Sequence, residues 1–255
     1  MKKKGGRTVP LDAEAFFARL DAALAAEEYE AAEQQLEAAH REALAARDLR
    51  FLNLIENEQM GLYRRLGRGE EALAVAKCAL ARLGLTGTVG LEAATTRLNA
   101  ATVLKSLGKN SEALALYEAA RPTYERTLSR SDPRLAALYN NTATALVALS
   151  RFREAYELYS RALSVLSARD MGCAEAAMTY LNIAEAIEAE RGALDGEGDI
   201  NACLDRARDL LERHPARDIA YAFACEKCAP TFSYFGRFAY AAELAARGEA
   251  IRAGN

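Results

Sequence analysis

The chain repeats itself about every 41 residues, and that period limits what it can fold into. The stretch YNNTATALVALSRFREAYELYSRAL, starting at Tyr139, shows the motif best. A helix-forming segment ends in a small-residue turn, and an aromatic or apolar residue, two positions and an alanine follow. Self-similarity at this period marks a stack of helix pairs, each too small to bury its apolar face alone.

Three small positions per unit set the alignment. They are Ala143, Ala155 and Ala162 in the clearest unit, Ala101, Ala113 and Ala120 one unit earlier, and Met60, Ala72 and Ala79 before that. The anchors Ala32, Ala72, Ala113, Ala155 and Ala241 are separated by 40, 41, 42 and 86 residues, so a sixth is expected near Ala202. Between them Leu104, Leu107 and Leu116, then Leu146, Leu149 and Leu158, recur at the three-and-four spacing of a buried helix face. Gly67, Gly108, Ser150 and Gly236 fall where the two helices of a pair join, at a left-handed helix end. Asp132 followed by Pro133 reads as a helix start and His214 with Pro215 as a stop, while the glycines of 191–199 predict an enlarged loop. Valines occur singly and no segment alternates, so about twelve helices and no sheet are expected.

This pattern resembles the tetratricopeptide repeat family from about Leu11 to Arg252, most specifically in the second, third and fourth units. The family's usual unit is about 34 residues. The longer period here is similar to the long-unit repeats of kinesin light chains and of bacterial peptide-responsive regulators. The resemblance implies an all-α, right-handed superhelical solenoid of about six helix pairs, with a concave groove lined by the first helix of each pair and no catalysed reaction. One repeat domain over 11–255 is expected, with units near 13–47, 53–84, 94–129, 136–168, 177–214 and 222–253. A flexible basic tail, 1–10, precedes it and carries Lys2, Lys3, Lys4 and Arg7.

Composition removes several function classes. Thirty-three Lys and Arg against 36 Asp and Glu leave a net charge of −3 with both signs interspersed, which is not a nucleic-acid footprint. No apolar run is long enough to span a bilayer or serve as an export signal, so a soluble, cytoplasmic protein without membrane partners is expected. His40 and His214 lie in no metal-ligand spacing, and no nucleophile or phosphate-binding motif occurs, so neither a metal, a cofactor nor an enzymatic activity is expected. Cys225 and Cys228 form a CEKC motif, but in register they match Tyr139 and Thr142, which reads as packing ahead of metal or redox chemistry.

The candidate site is the face that the first helices leave open. Its expected members are Asn57 and Arg64, then Asn99, Thr102 and Lys105, then Asn140 and Asn141, then Asn182 and Glu185, and finally Lys227. Asn99, Asn141 and Asn182 share one register, 42 and 41 residues apart. Asparagine is disfavoured inside helices, and an amide can both donate to and accept from an extended backbone. In the long-unit repeats that the chain resembles, asparagines of this column grip a bound peptide. The alternative is that each amide bonds the neighbouring helix and sets stacking distance. Arg64 and Lys105 make one end basic, Glu185 and Glu188 the other acidic. The expected partner is a protein or peptide held on this face, either passively or as the trigger of a regulatory change of shape. Aromatics crowding the last unit (Phe223, Phe232, Tyr234, Phe235, Phe238 and Tyr240) leave room for a homodimer through the terminal repeats.

Overall fold

The computed structural model describes residues 13–169 and 171–254. The expected basic tail, 1–10, lies outside the described residues. Twelve α-helices and no strands are present among those described: α1 (Ala13–Ala25), α2 (Tyr29–Ala46), α3 (Leu49–Arg65), α4 (Gly69–Thr86), α5 (Leu91–Ser106), α6 (Asn110–Thr127), α7 (Pro133–Ala148), α8 (Phe152–Ser167), α9 (Cys173–Arg191), α10 (Glu197–Arg213), α11 (Ile219–Tyr234) and α12 (Phe238–Ala253). The all-α class and six successive pairs follow the repeat read from the sequence. The helices form two compact units, the first ending at Gly108 and the second starting at Lys109.

In the first unit, α2 packs on α1 and α3, α4 on α3 and α5, and α3 on α5. Phe16 and Leu20 of α1, Ala32 and Leu36 of α2, and Phe51, Leu52 and Ile55 of α3 share one core. In the second unit, α6 packs on α7, α7 on α8, α8 on α9, α9 on α10 and α11 on α12. One core there joins Leu181, Ala184 and Ile187 of α9, Leu204 and Leu211 of α10, Tyr221 and Phe232 of α11, and Leu244 of α12. Most of the anchoring alanines are fully buried. Ala72, Ala79, Ala101, Ala113, Ala120, Ala143, Ala155 and Ala162 all have 0% exposure, so a larger side chain at any of them must push backbone apart.

The helix ends follow their turn chemistry. Asp132 caps α7 by accepting from the Arg134 N–H at 2.9 Å, one residue after which Pro133 opens the helix. His214 ends α10. Gly67, Gly108, Ser150 and Gly236 all have φ between 58° and 78°.

Two expectations near α10 are refined. The joint within 191–199 is enlarged but short: α9 continues to Arg191 and α10 begins at Glu197, leaving five residues, 192–196, where the other five pairs are joined by three. It is closely packed, and a Cβ on Gly196 would lie 2.7 Å from Ile187 Cγ2 and 3.0 Å from the Gly192 carbonyl. The sixth anchor is not Ala202, which is exposed. The buried series on α10 is Ile200, Cys203, Leu204, Ala207 and Leu211, matching Ala155, Leu158, Tyr159, Ala162 and Leu166 of α8. An isoleucine two positions earlier therefore fills the anchor's place, and a search for alanine passes over it.

Ser150 is a residue with a Cβ in the left-handed region, at φ 58°. Ser150→Gly is expected to stabilise the fold by about 1 kcal/mol. Gly196→Ala is expected to destabilise it by at least that much. Urea denaturation followed by circular dichroism measures both.

Candidate functional site

A polar ladder joins the first helices of successive pairs in each unit. Between α3 and α5, Asn53 Nδ2 donates to Glu92 Oε1 at 3.2 Å, and Asn53 Oδ1 accepts from the Thr96 hydroxyl at 3.0 Å. One turn further, Asn57 Nδ2 donates to the Asn53 carbonyl at 2.7 Å and to Thr96 Oγ1 at 3.2 Å. Its Oδ1 accepts from Asn99 Nδ2 at 2.8 Å. Asn53 and Thr96 are buried, at 4% and 0% exposure, whereas Asn57 and Asn99 are half-buried. In the second unit Asn182 Nδ2 on α9 donates to Asn140 Oδ1 on α7 at 3.1 Å. From α11 the Thr231 and Tyr234 hydroxyls donate to Glu185 Oε1 and Glu188 Oε1, each at 2.9 Å.

The amides therefore do bond from helix to helix, in pairs 42 residues apart, Asn57 with Asn99 and Asn140 with Asn182. Asn57 has both N–H groups and its oxygen engaged, which makes it chiefly a stacking residue. Asn99 and Asn182 are different. A primary amide has two N–H donors and an oxygen with two acceptor sites. Their bonds to Asn57 and Asn140 engage one N–H of each, and both side chains remain half-buried. Asn141 sits half-buried beside Asn140 on α7.

The charged members of the face are placed unequally. Arg64 is exposed near the end of α3. Lys105 is half-buried on α5, and burial followed by the repulsion of Arg64 pulls its ammonium down to about 8. Glu58 on α3 moves the opposite way, its carboxyl raised by burial and then by Asp21. Thr102 donates to the Leu98 carbonyl at 2.9 Å. Lys227 is exposed on α11, its ammonium 5.4 Å from the centre of the Phe223 ring. Of the aromatics in the last pair, Phe232 and Tyr240 pack edge to face at 4.9 Å, while Phe223, Tyr234 and Phe238 are exposed.

Two ion pairs between the helices of a pair, one of them buried, escaped the sequence reading. Glu56, 2% exposed on α3, is held by both terminal nitrogens of Arg82 on α4, with His40 Nε2 at 3.5 Å. Glu226 on α11 meets Arg252 on α12 at the same separation of 26 residues, and that recurrence was the available signal.

The three buried cysteines, Cys203, Cys225 and Cys228, have no reactive setting. Cys225 and Cys228 are fully buried, and Tyr139 and Thr142 at the matching places on α7 are buried too. Burial, with Cys225 beside it, pushes the Cys228 thiol up to about 12, and burial likewise raises Cys225. Burial and then Asp199 raise Cys203 to about 11. Thiolates are the nucleophiles and metal ligands, and such thiols supply few near neutral pH. Among the described residues no cluster of three or more His, Cys, Asp or Glu is placed to hold a metal. No helix among them is long and apolar enough to cross a membrane.

Residues 92–168, from α5 to the end of α8, match the tetratricopeptide repeat family model. No curated protein sequence matches the chain. Among solved structures the fold is similar to BtubC (BKLC) from P. vanneervenii, with a TM-score of 0.57 and 18% identity over 89% of this chain and 91% of that one. It is also similar to nearly identical TPR-like repeats of kinesin light chain type from Podosopora anserina, with a TM-score of 0.54 and 18% identity over 78% of this chain and 93% of that one. A third is a Rap protein complexed with Competence and Sporulation Factor, with a TM-score of 0.54 and 15% identity over 97% of this chain and 76% of that one. The resemblance read from the repeat thus holds by direct match over 92–168, and the fold is that of tetratricopeptide-like helix-pair proteins.

Asn57→Ala removes the acceptor of Asn99 Nδ2 and one donor to Thr96 Oγ1, which keeps its bond to Asn53, and is expected to cost about 1–3 kcal/mol in urea denaturation. For Lys105 the folded value lies below the ordinary lysine value of 10.5. Its contribution to stability is therefore present above about 10.5 and lost as pH falls through about 8. Lys105→Met is expected to be more stable than the parent at pH 7, with the difference shrinking as pH rises from 8 to 10.5. Thermal unfolding across that range checks it.

Proposed function

We propose that this protein is a non-enzymatic binding module that holds an extended peptide, or an extended segment of a partner protein, against the open faces of its first-of-pair helices. The observation that carries this reading is the partly engaged state of Asn99 and Asn182. Each is anchored by one N–H to the preceding helix, so its amide is fixed in place, with the remaining N–H and carbonyl chemically suited to the C=O and N–H of a peptide backbone. Pre-placed groups bind with less ordering cost than mobile ones. Asn140 and Asn141 extend the amide set on α7. Side-chain preference falls to Arg64, Thr102 and Lys105 on the first unit and to Glu185 and Lys227 on the second. Glu185 is held by the Thr231 hydroxyl, which positions the carboxylate without cancelling its charge. The similarity to a Rap protein solved with Competence and Sporulation Factor supports a binding role for such a face.

Panning a displayed random peptide library on the purified protein supplies ligands to test. Asn99→Ala and Asn182→Ala are each expected to weaken the selected peptides at least tenfold, with an unchanged circular dichroism spectrum. Full affinity in the double variant would remove the amides from the binding role.

A further inference from the structure

Gly61 has no internal reason to be glycine. It lies inside α3, away from either end, and its backbone is ordinary helix. A Cβ built on it would meet nothing within 4 Å. Glycine is the poorest helix former after proline, so a free interior position would ordinarily carry a side chain. Other glycines within helices are accounted for by the chain itself. A Cβ on Gly69 would stand 2.6 Å from Leu107 Cδ2, and one on Gly248 would stand 3.3 Å from the Ala222 carbonyl. Gly84 and Gly198 also face open space, but they sit in the last turn of α4 and the first turn of α10, where helix propensity matters least.

The surroundings of Gly61 are those of a contact point. Asn57 is one turn before it and Glu58 three residues before it, with Arg64 three residues after. Thr102 holds the matching place on α5, 41 residues on. Glu58 and Lys105 are both half-buried, and the structure disfavours the charged form of each. A bound group of opposite sign would relieve that cost at both positions.

Resting on the peptide-binding reading above, we propose that Gly61 is where a bound extended chain comes closest to the first unit, and that this chain carries a basic side chain toward Glu58 and an acidic one toward Arg64 and Lys105. Residues 58 and 64 are separated by about 9 Å of helix rise and diverge around its axis. Two side chains four positions apart on an extended strand lie on one side and span about 13 Å, which fits that separation.

The test uses the full chain and three fluorescein-labelled nine-residue peptides of serine and alanine. One carries Lys and Asp four positions apart, one Lys at both places and one no charge. Fluorescence anisotropy at low salt is expected to show the opposite-charge peptide binding at least tenfold tighter than the other two. Gly61→Ala is expected to remove at least tenfold of that affinity while the thermal midpoint stays level or rises. Glu58→Gln is expected to reduce the preference over the uncharged peptide to the part carried by Arg64 and Lys105. Equal binding of all three peptides, or unchanged affinity in Gly61→Ala, overturns the inference. Library-selected peptides that bind through Asn99 and Asn182 but ignore Gly61→Ala overturn this inference alone. A library that yields no ligand overturns the binding reading together with it.

Discussion

Close approach of helices at alanine is the constraint on which the rest depends. A pair of antiparallel helices has too little apolar surface to fold alone, so each must press against the next, and the distance at which it can do so is set by the smallest side chain at the crossing. Ala72, Ala113 and Ala155 are fully buried because they are those crossings. With the backbones held that near, first-of-pair helices become neighbours across a spacing that a pair of asparagines can bridge, as Asn57 and Asn99 do at 2.8 Å. The polar ladder is therefore a product of the packing distance.

Much of the fold was legible in the sequence because period, anchor and turn all reported the same architecture. Where one of the three failed, so did the reading. Ile200 stands in for an alanine anchor, and the glycines before it marked the longer joint without giving its length. Glycine permits a short or a long joint, and the packing of Gly196 against Ile187 accompanies the short one found here. The Asp132 cap and the left-handed residue at Ser150 were readable because they depend on neighbours within a few positions.

The candidate site was legible as a set of residues but not as a set of bonds. Counting residues placed Asn99, Asn141 and Asn182 in one column. Two pairs that form are Asn57 with Asn99 and Asn140 with Asn182, and which of two adjacent asparagines meets a given partner depends on how two helices rotate against each other. Burial was equally hidden. Nothing in the string distinguishes Lys105, whose charge is disfavoured, from the exposed Lys227 that lies over Phe223.

Each unit's bonds between first-of-pair helices leave two kinds of position on those helices. Changing a rung such as Asn57 alters the fit between α3 and α5, because that side chain is part of how the helices meet. Changing Lys227, whose ammonium rests over an exposed ring, leaves the helices where they are. Descendants of this sequence could therefore acquire new partners by drift at such loosely tethered places while the rungs stay under purifying pressure, so the scaffold outlives any one preference written on it.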